Sequence, residues 1–233
     1  MLRNILIAIV LAFFAYMFYN VYSTYDTKTE LTGIAQHFAQ EGATEVGAAN
    51  LVTAIVVTYR GFDTLGEVTI LFLTASIIAF FLKLKDEEQE TEIVHRDTTE
   101  LLVTAAQVLI PMMFMFGIYV FINGHLTPGG GFQGGAIIAT GVALMIMANP
   151  NIQINQHVIH WVESISGVSF VVVGILGLVL AGGFLDNKIF GLGEFGTLFS
   201  AGAIPIIYSF VGLKVGAEIS NILNKYQKSQ KEL

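Results

Sequence analysis

Along this chain, apolar runs of bilayer-crossing length alternate with short polar connections, and the run lengths predict the fold. Leu2 to Tyr22 is the first run. Arg3 precedes it and no small-residue cleavage site follows, so it reads as a retained transmembrane helix rather than a cleaved signal. Phe18, Tyr19, Tyr22 and Tyr25 crowd its far end, where amphipathic rings favour the membrane–water boundary. A polar stretch from Tyr25 to Val46 carries Asp26, Lys28, Glu30, Glu41 and Glu45. Gly47 to Tyr59 is apolar again but only about a dozen residues long, which suits a lateral or re-entrant helix better than a crossing. Further crossings are expected at Val68–Leu84, Leu101–Ile122, Ala136–Ala148 extended backward through Phe132 to Gly135, Ile165–Ala181 and Phe195–Ala217. The expected fold is an all-α membrane protein of about six transmembrane helices plus one short lateral or re-entrant helix.

Charge sets the orientation. With six crossings, Arg3, Lys83, Lys85, Arg96 and the lysine-bearing C-terminus share one side, which the positive-inside rule assigns to the cytoplasm; seven would split them. A multi-pass plasma-membrane protein with both termini cytoplasmic follows. Composition agrees: 54% of residues are hydrophobic and 12% charged, and the mean hydropathy is +0.69, whereas soluble domains carry about a quarter charged residues. The 24 glycines suit close helix contact. No cysteine is present, which excludes thiolate-held iron–sulfur clusters, zinc-thiolate sites and disulfides in this chain. The net charge of −7 gives no basic surface for nucleic acid. Much of that charge lies between Lys83 and Glu100, a solvated linker that divides the chain into a membrane module at 1–85, a charged cytoplasmic linker at 86–99, a four-helix membrane domain at 100–222 and a tail at 223–233. The tail reads as an amphipathic surface helix that frays.

The candidate chemistry gathers at two bends. In Ile122 to Gly135, Pro128 starts a turn, and Gly129, Gly130, Gly131, Gly134 and Gly135 place five glycines in seven residues. Glycine there permits both a tight reversal and close helix approach, so these residues read first as a packing device. His125 and Thr127 are the side chains of the bend with proton or ion chemistry. The second bend, Tyr59 to Glu67, holds Arg60, Asp63 and Glu67. Asp63 and Glu67 are four apart and share a helix face. Two readings stay open: a capped helix start whose acids complement the dipole, or an ion path in which Glu67 lies below the interface. Further along, His157 and His160 read as part of a Trp161-containing interfacial belt rather than a metal pair. Glu194 reads as a first-turn acid of the last crossing, Pro205 as a kink within it, and Lys214, four before Glu218, as snorkelling to the surface.

His125-Leu-Thr-Pro-Gly-Gly-Gly-Phe-Gln-Gly-Gly135 closely resembles the signature hairpin of the B subunit of Mrp-type multisubunit sodium/proton antiporters, a component also found in related membrane-bound hydrogenases. The resemblance spans about Glu100 to Ile222. Arg60-Gly-Phe-Asp-Thr-Leu-Gly-Glu67 resembles the C-terminal tail of the large A-type antiporter protein, which in hydrogenase relatives is a separate small polypeptide and here is fused ahead of the B-like part. Antiporter B subunits generally carry an aspartate in the last helix, where this chain has Ser200 within Leu198-Phe-Ser-Ala-Gly, a version more similar to those of membrane-bound hydrogenases and related sulfur-reducing or ferredoxin-oxidising complexes.

The resemblance implies a non-catalytic subunit of the sodium/proton-translocating module of a membrane-bound respiratory complex. Its partners would be A/D-like antiporter subunits, the small C-like subunit, and hydrogenase-like subunits. It would bind no cofactor itself, with iron–sulfur or nickel–iron centres in partner subunits. Arg60, Asp63, Glu67, His125, Thr127 and Lys214 are the ion-translocation candidates, and Pro205 joins Pro128 and the glycines as structural. The alternatives are a subunit of a stand-alone antiporter and a purely structural spacer whose polar residues cap helices.

Overall fold

A computed structural model describes residues 2–25, 30–86, 98–152 and 154–230. Most of the expected charged linker, 87–97, lies outside the described residues, as do Asp26, Lys28 and Lys231. The described residues are helical with no strand, and six helices are long and apolar enough to cross a membrane. By packing, the chain divides into two units, 1–37 and 38–233.

The first unit is chiefly α1 (Leu2–Thr24), exposed along its whole length, as an apolar helix is when lipid is its solvent. Its polar end satisfies itself: Asn20 Nδ2 donates to Tyr16 O at 3.0 Å and Thr24 Oγ1 to Asn20 O at 2.7 Å. Helix α2 (Ile34–Val46) begins in this unit and runs on into the second, through a stretch whose sequence reads only as polar.

In the second unit, α3 (Leu51–Thr53) passes directly into a π-helical segment, Ala54–Tyr59, with Thr53, Ala54 and Val57 fully buried. This is the short helix expected between Gly47 and Tyr59. The crossings that follow are α4 (Gly61–Asp86), α5 (Glu100–Ile122), α6 (Gly131–Ala148), α7 (Gln156–Leu180) and α8 (Ile204–Gln230). Helix α8 is the hub, packing on α4, α5, α6 and α7, while α6 also packs on α5. It is the most buried of the crossings. Its polar residues turn inward because protein, not lipid, surrounds it. Since α4 belongs with α8, packing units do not follow the sequence modules.

The signature glycines make these contacts possible. A Cβ at Gly134 would stand 2.6 Å from Gly117 O on α5, and one at Gly135 2.6 Å from Gly212 O on α8. Backbones come this close only where both helices lack side chains, the usual packing device of membrane bundles.

Four expectations are corrected. The last crossing starts at Ile204, not Phe195, because Gly193, Gly196, Ala201 and Gly202 all have positive φ, and a left-handed backbone cannot propagate a right-handed helix. Pro205 therefore lies in the first turn of α8, where its missing N–H is one of the free ones, and it kinks nothing. Glu194 sits in the preceding loop, ten residues ahead of that helix, with its carbonyl accepting from the Thr197 hydroxyl at 2.8 Å. Nor is the tail over 223–230 a separate surface helix: it is the continuation of α8 to Gln230, with Asn224 and Ser229 buried and Gln227 Nε2 donating to Pro150 O at 2.8 Å.

Candidate functional site

The α5–α6 bend is held by residues far away in sequence. Asn50, the N-cap of α3, accepts from Val52 N at 3.1 Å through Oδ1, as asparagine caps do. Its Nδ2 donates to Gly124 O at 2.9 Å and Thr127 O at 3.0 Å, and its backbone N–H to His125 O at 3.0 Å. Thr53 Oγ1 adds a bond to Gly124 O at 2.7 Å and accepts from Tyr208 OH at 3.1 Å. A bend between two crossings cannot satisfy its own carbonyls, and α3 and α8 supply the donors. Sequence reading missed Asn50. Its only signal was an asparagine directly ahead of an apolar run, the mark of a helix start.

Within this frame His125 is fully buried. Its Nε2 lies 3.4 Å from Thr197 O, and its Nδ1 has no hydrogen-bond partner. Burial pushes its pKa below the ordinary histidine value, with carbonyl contacts at Thr197, Ile122 and Leu198 opposing. The imidazole thus rests neutral in contact with the loop that carries Ser200, itself buried with an unpartnered hydroxyl. Thr127 is half-buried, and its hydroxyl donates to Asn123 O at 3.3 Å. Pro128 is exposed, and Gly130, at φ 152°, starts α6 in a conformation open to glycine.

The second bend is more open. Arg60 ends the π-helical segment and pairs with Asp63 at 2.5 Å, both half or more exposed, a geometry that contributes about 0–1 kcal/mol. Asp63 N donates to Arg60 O at 2.9 Å, so the acid also stands at a helix start. Glu67, one turn on, is exposed on the surface of this chain and lines a groove of about 540 Å³ with Ile70, Leu71, Thr74, Phe132 and Gln133. Phe132 and Gln133 belong to the signature of the other bend, so the two motifs meet in one groove. Nearby, Tyr59 donates to Glu45 Oε2, and burial together with that carboxylate pushes the phenol's pKa up.

Lys214 does not snorkel. It is 8% exposed, its Nζ lies 2.6 Å from Glu218 Oε1, and it stands 5.0 Å from the centre of the Phe72 ring. Glu218 is completely buried. An ammonium held by a carboxylate one turn away has no reason to reach for water. His160 pairs with Glu163 at 3.7 Å rather than with His157, and no group of three or more His, Asp or Glu able to hold a metal occurs among the described residues.

Residues 101–221 match the model of a domain related to the MnhB subunit of Na+/H+ antiporters, and residues 1–96 match the MbhE family of MBH subunits. In architecture the chain is similar to one chain of the membrane-bound sulfane sulfur reductase, an archaeal respiratory membrane complex, at 36% identity and a TM-score of 0.84, covering 97% of this chain and 98% of that one. It also shares the fold of part of a chain in the Mrp complex of Dietzia sp. DQ12-45-1b, at 24% identity and a TM-score of 0.78, covering 96% of this chain and 26% of that one. An uncharacterized protein of Methanocaldococcus jannaschii is 29% identical over 79% of this chain and 83% of its own length. A probable A/B-type K(+)/H(+) antiporter protein of Rhizobium meliloti is 30% identical over 49% of this chain, which spans only 14% of that relative. The chain belongs to the family of domains related to the MnhB subunit of Na+/H+ antiporters, a multi-pass membrane protein with an MbhE segment ahead of that domain.

Proposed function

We propose that this chain is a non-catalytic membrane subunit of the sodium/proton-translocating module of a membrane-bound respiratory complex, with redox chemistry and any iron–sulfur or nickel–iron centres in partner subunits. One observation carries the reading. The similarity to a chain of the sulfane sulfur reductase runs nearly end to end in both proteins, so the same two segments occur in the same order in one polypeptide. In this reading the chain holds A/D-like and C-like antiporter subunits together, with both termini cytoplasmic. The groove shared by Glu67, Phe132 and Gln133 lines part of a sodium path, for which carboxylate and carbonyl oxygens are suitable ligands, and Arg60, Asp63, His125 and Thr127 are the further candidates at the two bends. Glu67 and Asp63 lie on the surface of this chain, so the reading requires a neighbouring subunit over them.

Native purification from membranes tests the assignment. Co-isolation of iron–sulfur or nickel–iron subunits is expected; a complex of antiporter-like subunits alone would favour the stand-alone antiporter. Cross-linking from position 67 separates transport from scaffold: capture of an adjoining membrane subunit is expected, and labelling by water-soluble reagent in the intact complex would leave a spacer.

A further inference from the structure

The antiparallel pair α7 and α8 carries titratable groups that neither signature motif includes. Gly167 sets the register, because a Cβ there would meet Cδ, Cε and Nζ of Lys214 at 3.4 Å. Glu163, one turn earlier on α7, is therefore level with Glu218, one turn later on α8, and His160 is level with Asn221. Lys214, Glu218 and Asn221 share one face of α8, as His160, Glu163 and Gly167 share one face of α7. Three oxygens at these levels are buried without a hydrogen-bond partner: Glu163 Oε2, Glu218 Oε2 and Asn221 Oδ1. Glu218 is fully buried and Asn221 is 7% exposed. Buried oxygens of this kind are costly unless something visits them.

The two ends of the row differ. Lys214 and Glu163 both line a cavity of about 470 Å³ between α4, α7 and α8, whose remaining walls include Leu65, Phe72 and Gly167. At the other end, the His160 side chain is 52% exposed near the α6–α7 connection, while Glu163 is 14% exposed. Among the described side chains, the charge facing the pair comes from α7: α4 presents Val68, Thr69 and Phe72 to the cavity, α5 holds Glu100 and Tyr119, both exposed, and α6 has no titratable residue.

We propose that His160, Glu163, Glu218 and Lys214 form a proton relay between the membrane face bearing the α6–α7 connection and the cavity beside Lys214. The proposal rests on the translocating-subunit reading and specifies a path separate from the Glu67 groove. The ion is the proton rather than sodium because the cation position on Glu218 is already taken by an ammonium at 2.6 Å, where a metal ion would meet like charge. The steps balance. His160 takes a proton from hydronium in bulk solution, releasing water, and passes it to Glu163, and Glu163 passes it to Glu218 Oε2, with Asn221 beside the transfer. Lys214 releases its own proton to the cavity, and the proton on Glu218 moves to the free amine, restoring ammonium and carboxylate. One proton enters at His160 and one leaves at Lys214.

Two readouts test it. In proteoliposomes of the purified complex, Glu163→Gln and the neutral pair Lys214→Gln/Glu218→Gln are each expected to cut proton flux by at least about tenfold, the scale of losing a positioned proton-transfer group. The set of assembled proteins should be unchanged. If the double variant fails to assemble, Glu163→Gln and His160→Gln, which leave the ion pair intact, decide the matter. Unaltered flux in both would overturn the relay. In parallel, pH-difference infrared spectra of the chain, with whatever subunits copurify, should show a carboxylic-acid band that Glu163→Gln or Glu218→Gln removes. A band untouched by either would reject the relay even where no redox partner is found, whereas loss of the band without redox partners would overturn only the respiratory assignment.

Discussion

The carboxamide of Asn50 donates to the carbonyl of Thr127, 77 residues further along the chain, at 3.0 Å. The same amide reaches Gly124, and the same side chain caps α3, so one residue fixes both the start of a short helix and the bend between two crossings. Asn50→Ala removes four side-chain bonds, two from N–H groups of α3 and two to carbonyls of the bend, and leaves Thr127 O without this donor while Gly124 O keeps the Thr53 hydroxyl. A loss of about 2–4 kcal/mol is expected, visible as a lowered melting temperature of the detergent-solubilised protein. A melting curve superposable on that of the parent would remove Asn50 from this role.

His125 gives the bend a pH dependence. Its pKa in the fold is below the ordinary 6.5, so the unfolded chain binds the proton more readily. This contribution to stability is complete above about pH 6.5 and is lost as pH falls through the lower folded value. His125→Gln should therefore flatten the acid limb of the stability profile relative to the parent. Parallel profiles from pH 7 to pH 5 would show that His125 does not titrate on unfolding.

Gly134 and Gly117 face each other across α5 and α6, and a Cβ on Gly134 would stand 2.6 Å from the Gly117 carbonyl. Gly134→Val is expected to separate the helices at a cost of about 1–3 kcal/mol or more. The readout is the yield of assembled complex. Gly66, where a Cβ meets nothing within 4 Å, is the control position: Gly66→Ala should assemble normally.

Glu67→Gln keeps the shape of the shared groove and removes its charge. In the proposed role it lowers sodium-dependent transport by the assembled complex while composition is unchanged. Asp63→Asn, in contrast, breaks an exposed ion pair worth about 0–1 kcal/mol and should barely move the melting temperature. Full sodium transport by Glu67→Gln would take the acid out of the path.

Both signature bends were visible in the sequence because their turn chemistry is local: proline, clustered glycine and the helix-start acids act within a few residues. The start of α8 was not. Phe195 to Ala203 is nearly as apolar as a helix, and only the positive φ values at Gly196, Ala201 and Gly202, held by bonds such as Ala203 N to Asn187 O at 3.0 Å, exclude one. Asn187, buried and donating to Val46 O at 2.7 Å and Ala201 O at 3.0 Å, anchors that loop, and nothing near it in sequence announces the role. Lys214 was misread for a related reason. Whether a lysine snorkels depends on what surrounds its helix, and α8 is surrounded by protein.

By itself the sequence determined that this chain crosses a membrane about six times, that the two motifs lie at bends, and that glycine rather than bulk shapes the contact faces. These follow from hydropathy and backbone freedom, which each segment carries alone. Only the tertiary structure decided which helix is central, which carbonyls Asn50 serves, and that Glu163 comes level with Glu218, and Gly167 with Lys214, across two helices. Partnership between polar groups distant in sequence depends on helix register, and register is set by packing all the helices at once.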